Sequence, residues 1–359
     1  MGQAACADRE GNHMTREEIR RRLEEAWREP ASPSSRRLAC LLGGAIGDAL
    51  GYRIEFDRWP AIVRACGPEG IHLAGASGEL MVSDDTQMTL FTLEGMVRAA
   101  GTAAITSEIR EAYLDWYGTQ AGGRKSRVLR GRLAGLAVMC QAQAPGSTCL
   151  AALRQGGQGT IEHPINNSKG CGGVMRTAPL GFLPGTVEDA ALLRLGAEAA
   201  ALTHGHPDGY LPAGAIAVLV RDALSEVPWE LSVAKVLDLL RERAESNGTV
   251  AAIERAVQAA ADGVTSREKL SALGEGWVGE EALAVGLYAA MVAKSFAECI
   301  ELAANHDGDS DSTASIAGQL WGARFGLEGI AREVVERLDV IEPLVGVWGE
   351  WEEMTNRAE

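Results

Sequence analysis

The run DGDSDST, residues 307–313, sets Asp307, Asp309 and Asp311 at alternate positions among serines, a threonine and a glycine. Carboxylates this close repel one another unless a cation lies between them or one takes up a proton. The alternative is a solvated turn that caps the apolar run ASIAGQLWGARFG behind it, a position that Asp and Ser favour. A second cluster of the same kind favours the cation. VSDDTQM places Ser83, Asp84, Asp85 and Thr86 at the head of another apolar run. Hydroxyl and carboxylate oxygens are the hard ligands that Mg²⁺ or Ca²⁺ prefers, and no His or Cys stands in this cluster to indicate zinc. Facing each other across a bundle, the two clusters could divide the ligands of a two-metal site between them.

Three other stretches carry weaker signals. In NNSKGCGGVMRTAPLG, Gly170, Gly172 and Gly173 allow backbone N–H groups to come close to a ligand, and such nests bind phosphate. Lys169 or Arg176 could add charge there. The order is not that of a Walker A loop, and a plain flexible connection is the competing reading. THGHPDGY carries His204 and His206, whose i, i+2 spacing keeps them off a shared helix face; a histidine near a helix end is either structural or a ligand contact. In GDALGYRIEF, Asp48 lies amid glycines where it can satisfy backbone donors, whereas Glu55 follows a helix break and is freer to reach a site.

The elements that must position these residues read as helices. The chain has 359 residues, 46% hydrophobic, 23% charged and only 5% aromatic, an ordinary balance for a globular protein rich in helix formers. LLGGAIGDALG spaces Gly43, Gly47 and Gly51 by four, and IAGQLWGARFG does the same with Gly318, Gly322 and Gly326. A glycine stripe weakens a helix by roughly 1 kcal/mol per residue against Ala, so it implies that another backbone approaches closely. MTLFTLEGMVRAA, AALLRLGAEAAALTH, AGAIAVLVRDAL, VAKVLDLLRERA, AAIERAVQAAA and EEALAVGLYAAMVA complete an all-α reading, with strand-like alternation nearly absent.

Residues 1–36 read as an N-terminal extension. Thr15 and Glu18 form a capping box ahead of a thin apolar stripe, Ile19, Leu23 and Trp27, and PASPSS reads as a linker to a single domain over residues 37–359. This helix either docks on the body or reaches a partner. The net charge of −15 argues against a nucleic-acid or anionic-membrane binder. Seven scattered cysteines without a C-x-x-C pair, and no signal core or membrane-spanning run, predict reduced thiols and a cytoplasmic protein.

Taken in order, GDALGYRIEF, SDDTQM, SKGCGGVMR, THGHPDGY and GDSDSTASIAG resemble the ADP-ribosylglycohydrolase family, as does GEGWVGEEALAVGLY at 274–288. The family includes dinitrogenase-reductase-activating glycohydrolases and ADP-ribosylarginine hydrolases. The resemblance covers roughly residues 37 to 330. It implies a single compact all-α domain with two Mg²⁺ ions, or Mn²⁺ in their place, at the base of a cleft that holds ADP-ribose. By motif, Ser83, Asp84, Asp85, Asp309, Asp311 and Ser312 would bind metal, and Asp84, Asp85 or Glu55 would act as the base. Gly170, Cys171, Gly172 and Gly173 would cradle the diphosphate, with His204 lining the cleft. Ser83 and Ser312 stand where many members have threonine, which retains a hydroxyl. The implied activity is removal of ADP-ribose from modified protein side chains, with arginine as the acceptor that the GDSDSTA form favours. Alternatives are hydrolysis of serine-linked ADP-ribose or O-acetyl-ADP-ribose. Another is an immunity or interaction protein that blocks a cognate ADP-ribosyltransferase through its N-terminal extension. A terpenoid-type diphosphate enzyme would want D-D-x-x-D, and Met88 stands where its third Asp belongs.

Overall fold

The structure, a computed structural model, describes residues 13–101, 103–120 and 130–357. Among them the helices are α1 (Arg16–Arg28), α2 (Pro33–Gly51), α3 (Trp59–Cys66), α4 (Asp84–Ala99), α5 (Ile105–Thr119), α6 (Ser147–Arg154), α7 (Asp189–Ala201) and α8 (Pro207–Leu224). They continue with α9 (Trp229–Arg241), α10 (Asn247–Ala260), α11 (Arg267–Ser271), α12 (Gly279–Val292), α13 (Phe296–Ala304), α14 (Ser310–Phe325), α15 (Arg332–Val335) and α16 (Ile341–Asn356). No strand forms among the described residues, only two isolated bridges, Leu80 with Leu338 and Gly170 with Val278. The expected all-α, single-domain class is the observed one.

The glycine stripes explain the centre. A Cβ on Gly43 would overlap the Gly318 carbonyl, one on Gly47 the Ala314 carbonyl, and one on Gly51 the Ser310 carbonyl. These pairings run in opposite directions along the two helices, so α2 and α14 lie antiparallel with their backbones in direct contact. Almost every residue of both is buried, including polar side chains such as Asp48, Asp311, Ser315 and Gln319, so these two helices form the centre of the bundle. Antiparallel packing brings the C-terminal end of α2 to the N-terminal end of α14, and so sets Asp48 and Glu55 beside the 309–312 cluster.

At the N-terminus, Thr15 and Glu18 form the expected capping box, and α1 lies on α16. Leu23 and Ala26 are buried, and Ile19 and Trp27 pack partly against the same core. The apolar stripe thus faces the body. The Arg22 guanidinium meets Glu353 at 2.9 Å, and the Ser35 hydroxyl donates to the Ala26 carbonyl at 2.9 Å. PASPSS differs from the expected linker: Ser32 caps α2 and Pro33 opens it, because proline's fixed φ suits the first helical position.

Cys40, Cys66, Cys149, Cys171 and Cys299 are free thiols, whereas Cys140 is disulfide-bonded, a departure from the expected reduced set. No helix among the described residues is long and apolar enough to cross a membrane.

Candidate active site and metal centre

Two helix N-termini meet at the end of α2. The Asp48 carboxylate, wholly buried, accepts the Ser83 N–H at 2.9 Å and the Thr86 N–H at 3.0 Å, and takes the Thr86 hydroxyl as well. It therefore fixes the first turn of α4. The Ser83 hydroxyl caps the same helix by accepting the Asp85 N–H at 3.2 Å, and Asp309 caps α14 by accepting the Ser312 N–H at 3.4 Å. Both acidic clusters thus cap helices, yet neither is the solvated turn of the alternative reading, since Ser83, Asp84, Asp85, Asp309 and Asp311 are all buried. They are also joined: the Ser83 hydroxyl favours the ionised form of Asp311, although the two are far apart in sequence. The converging helix ends add partial positive charge to a site crowded with carboxylates.

Capping leaves much of the acidity unanswered. Glu55, Asp309 and Asp311 offer oxygens within 4.8 Å of one another, close enough to share one cation. Asp85 Oδ2 and Glu55 Oε2 are buried without a hydrogen-bond partner. Burial, reinforced by the charge of Asp311, raises Asp48 and Glu55 to about 8. Burial likewise lifts Asp84 to about 7, although the Gly146 N–H donates to its Oδ2 at 3.0 Å. Asp85 and Asp309 are pushed well above the usual carboxylate range by burial and by Asp311, and burial raises Asp311 itself. So many desolvated acids with orphaned oxygens fit a hard divalent cation, which would offset their repulsion and complete their bonding.

The glycine-rich stretch is more ordered than a flexible loop. Cys171–Arg176 is a 3₁₀ helix. Its entry is stapled in place: the Gly170 N–H donates to Ser168 Oγ at 3.3 Å and the Cys171 N–H to the Trp277 carbonyl at 3.2 Å. The Cys171 thiol reaches Asp309 Oδ2 at 2.8 Å and lies 3.6 Å from the Ser312 hydroxyl, tying this segment to the acid cluster. A side chain on Gly172 would run into His204, and one on Gly173 into the Gly209 carbonyl, so the glycines also serve internal packing.

His204 lies behind this turn, 1% exposed, with Nδ1 at 2.8 Å from the Thr203 hydroxyl. Burial lowers it to about 3, so its imidazole is neutral. Both cations proposed for the loop already have protein partners. Lys169 pairs with Glu280, and the buried Arg176 lies over the Tyr113 ring and donates to Thr203 Oγ1 at 2.7 Å. His206 caps α8, and Asp307 accepts the Trp59 N–H at the start of α3.

Sequence reasoning did not foresee that Gly146 steadies Asp84, nor that the 275–277 segment borders the site. The Glu275 carbonyl accepts the Asp309 N–H at 2.8 Å. Nothing in the local composition of either segment signals such a role, because in both the contact is made by the backbone.

The ADP-ribosylglycohydrolase family model matches residues 29–357. A curated relative, the ADP-ribosylhydrolase ARH1 of Dictyostelium discoideum, is 25% identical over 377 residues, covering 85% of this chain and 91% of its own. A solved structure of an ADP-ribosylglycohydrolase-related protein complex superposes with a TM-score of 0.63 at 23% identity, over 90% of this chain and 99% of that one. That last likeness speaks for the fold.

Proposed function

Because the chain belongs to the ADP-ribosylglycohydrolase family, a family of metal-dependent hydrolases, we propose that it removes ADP-ribose from modified protein side chains, ADP-ribosyl-arginine foremost. The observation that carries this reading is the meeting of the two acid clusters with Glu55, leaving buried oxygens of Asp85 and Glu55 unpartnered. Ser83, Asp84, Asp85, Asp309, Asp311 and Ser312 would hold two Mg²⁺ ions, with Glu55 beside them; Mn²⁺ has the same ligand chemistry. Bound there, the metal would supply positive charge for the ribose hydroxyls and a hydrolytic water.

The chain's own groups do the rest. A carboxylate takes a proton from the water as its oxygen bonds to C1″ of the ribose, and the C1″–N bond breaks with its electron pair passing to the guanidine nitrogen. The carboxyl group then passes that proton to the nitrogen, so arginine leaves as the guanidinium ion and the carboxylate is restored. Among Asp84, Asp85 and Glu55, the last is best suited as base: it is only half-buried, its Oε2 has no partner, and burial raises it to about 8. Asp84 already accepts the Gly146 N–H. Gly172 and Gly173, in the first turn of the 3₁₀ helix, supply N–H groups for the diphosphate. The GDSDSTA motif and an acidic site suited to a cationic leaving group support arginine as the acceptor.

The test offers ADP-ribosyl-arginine, ADP-ribosyl-serine and O-acetyl-ADP-ribose side by side, with Mg²⁺ and with chelator. Fastest release from arginine, abolished by chelator, is the expected result. Preferred hydrolysis of either other substrate, or turnover that survives chelation, overturns the reading.

A further inference from the structure

Two aromatic rings stand at the surface beside the acid cluster with no evident role in the core. Phe56 directly follows Glu55 and is 75% exposed, the most exposed large apolar side chain among the described residues, while Trp277 is 38% exposed. Their rings stack, with centroids 5.9 Å apart and planes inclined by 19°. A second contact joins the same two segments: Arg58 pairs with Glu275, whose other carboxylate oxygen accepts the Trp277 indole N–H at 3.2 Å.

The two sides of this junction are held differently. On one side, Glu281 accepts the Glu275 N–H at 3.0 Å and the Gly276 N–H at 3.3 Å. The carbonyls of Glu275 and Trp277 accept the N–H groups of Asp309 and Cys171. That segment is built into the site's frame. On the other side is the turn that leaves α2, secured by the buried Ile54 and by Arg53, which donates to the Ser77 and Glu79 carbonyls at 3.0 and 3.1 Å. Both anchors precede Glu55; after it the Asp57 N–H bonds back to the Ile54 carbonyl at 2.8 Å, and the Trp59 N–H to Asp307. Glu55 Oε2 itself has no hydrogen-bond partner, yet the carboxylate lies within sharing distance of Asp309 and Asp311.

We propose that Phe56 and Trp277 form a clasp that positions the Glu55 carboxylate against Asp309 and Asp311, with the Arg58–Glu275 pair as its second fastening. The proposal rests on the metal-site reading above and adds Glu55 to it as a ligand: one carboxylate oxygen would share a cation with Asp309 and Asp311, and the other would remain free to take a proton. Phe56 and Trp277 act through Glu55 and are positioning residues. A carboxylate without a hydrogen bond takes its place from its backbone, and here the turn that carries Glu55, closed by the Asp57 N–H on the Ile54 carbonyl, is tied to the 275–277 segment by the Phe56 ring and the Arg58 guanidinium. The high exposure of Phe56 fits this role, since such a ring contributes little to the core, and a group that orients a ligand tunes affinity at a distance.

The experiment is calorimetric titration of Mn²⁺ into the full-length protein and its Phe56→Ala, Phe56→Tyr, Trp277→Ala and double-alanine variants, with thermal unfolding alongside. Either alanine variant should weaken Mn²⁺ binding by about tenfold, within the range seen when groups that orient metal ligands are removed, while its unfolding midpoint stays near that of the parent. Phe56→Tyr, which keeps the stack, should restore affinity, and the double variant should be no worse than either single one because one contact is lost in each case. Parent-like Mn²⁺ affinity in Phe56→Ala, or additive losses in the double variant, overturns the clasp. So does a variant that binds Mn²⁺ normally but shows only a raised KM for substrate, since the rings would then be a stacking platform. If the parent itself binds no Mn²⁺, the metal reading fails and the clasp with it; if only the variants match the parent, the clasp alone fails.

Discussion

Asp48 on α2 holds Ser83 at the head of α4, its carboxylate accepting the Ser83 N–H at 2.9 Å and also bonding Thr86. The position of Asp84 and Asp85 is therefore inherited from α2. Asp48→Asn keeps the shape but turns an amide N–H₂ towards donors that need an acceptor. Leaving a buried donor unmet costs about 1–3 kcal/mol, and we expect a loss of that size in denaturant unfolding together with weaker Mn²⁺ binding. Unchanged values of both would show that α4 is placed by other contacts.

Asp309→Ala and Asp311→Ala should each reduce turnover by more than about 100-fold, beyond the range for residues that merely support metal ligands. Helix content should remain, because the α2–α14 contact is made by glycines and carbonyls elsewhere along the pair. Circular dichroism and a hydrolysis assay at saturating Mg²⁺ decide it; near-normal turnover in both variants would remove the metal role.

The raised carboxylates set a pH dependence whose sign follows directly. In the folded chain Asp84 holds its proton to about 7, and Asp48 and Glu55 to about 8. The unfolded chain releases those protons near pH 4. The folded state thus binds more protons between these limits, and metal-free stability should fall as the pH rises from about 4 to about 8. A divalent cation replaces the protons and should lessen or reverse that fall. Thermal unfolding in chelator, followed across this range, checks it; a midpoint that climbs with pH contradicts the account.

Removing residues 1–28 should lower the unfolding midpoint and leave hydrolysis unchanged. The cut removes α1, whose buried Leu23 contributes about 1.5–3 kcal/mol before ordering costs, and it touches no residue of the acid cluster. A cut at residue 36 should do far more damage, since Ser32 caps α2, Pro33 opens it and Arg36 is buried. Loss of activity in the shorter truncation with the fold intact would mean that α1 reaches the site.

The parts of this structure that sequence disclosed are those where one physical constraint acts on a fixed spacing. Glycines four apart admit a backbone: Gly43 and Gly318 meet each other, Gly47 and Gly51 meet the α14 backbone and Gly322 the α2 backbone, while Gly326 instead abuts Pro30. Like charges crowded in two places call for a counterion or a proton, and the charges of Asp309 and Asp311 do bear on Asp85 in the fold. The parts that stayed hidden depend on contacts between backbones or on weak helix signals. Cys171 and Asp309 are secured by the carbonyls of Trp277 and Glu275, whose side chains say nothing of it. In α16, Pro343, Gly346, Gly349 and two valines obscure a helix that forms because Leu344, Val345, Val347, Trp348 and Trp351 are buried. The glycines at 170–173 suggested phosphate, while part of the reason for them is the nearness of His204 and Gly209.

The antiparallel contact of α2 with α14 also governs when the molecule can exist. Synthesis makes α2 long before α14, because most of the described helices lie between them in sequence. Until Ser310–Phe325 has left the ribosome, the glycine face of α2 has no backbone to lie against, and Asp84 and Asp85 lack the acids from the second cluster. Pairing at such long sequence separation closes a large loop before it yields any contact energy, which slows folding and leaves apolar surface open meanwhile. The nascent chain therefore keeps that apolar face open through much of its translation, and the two acid clusters can meet only once α14 has been made.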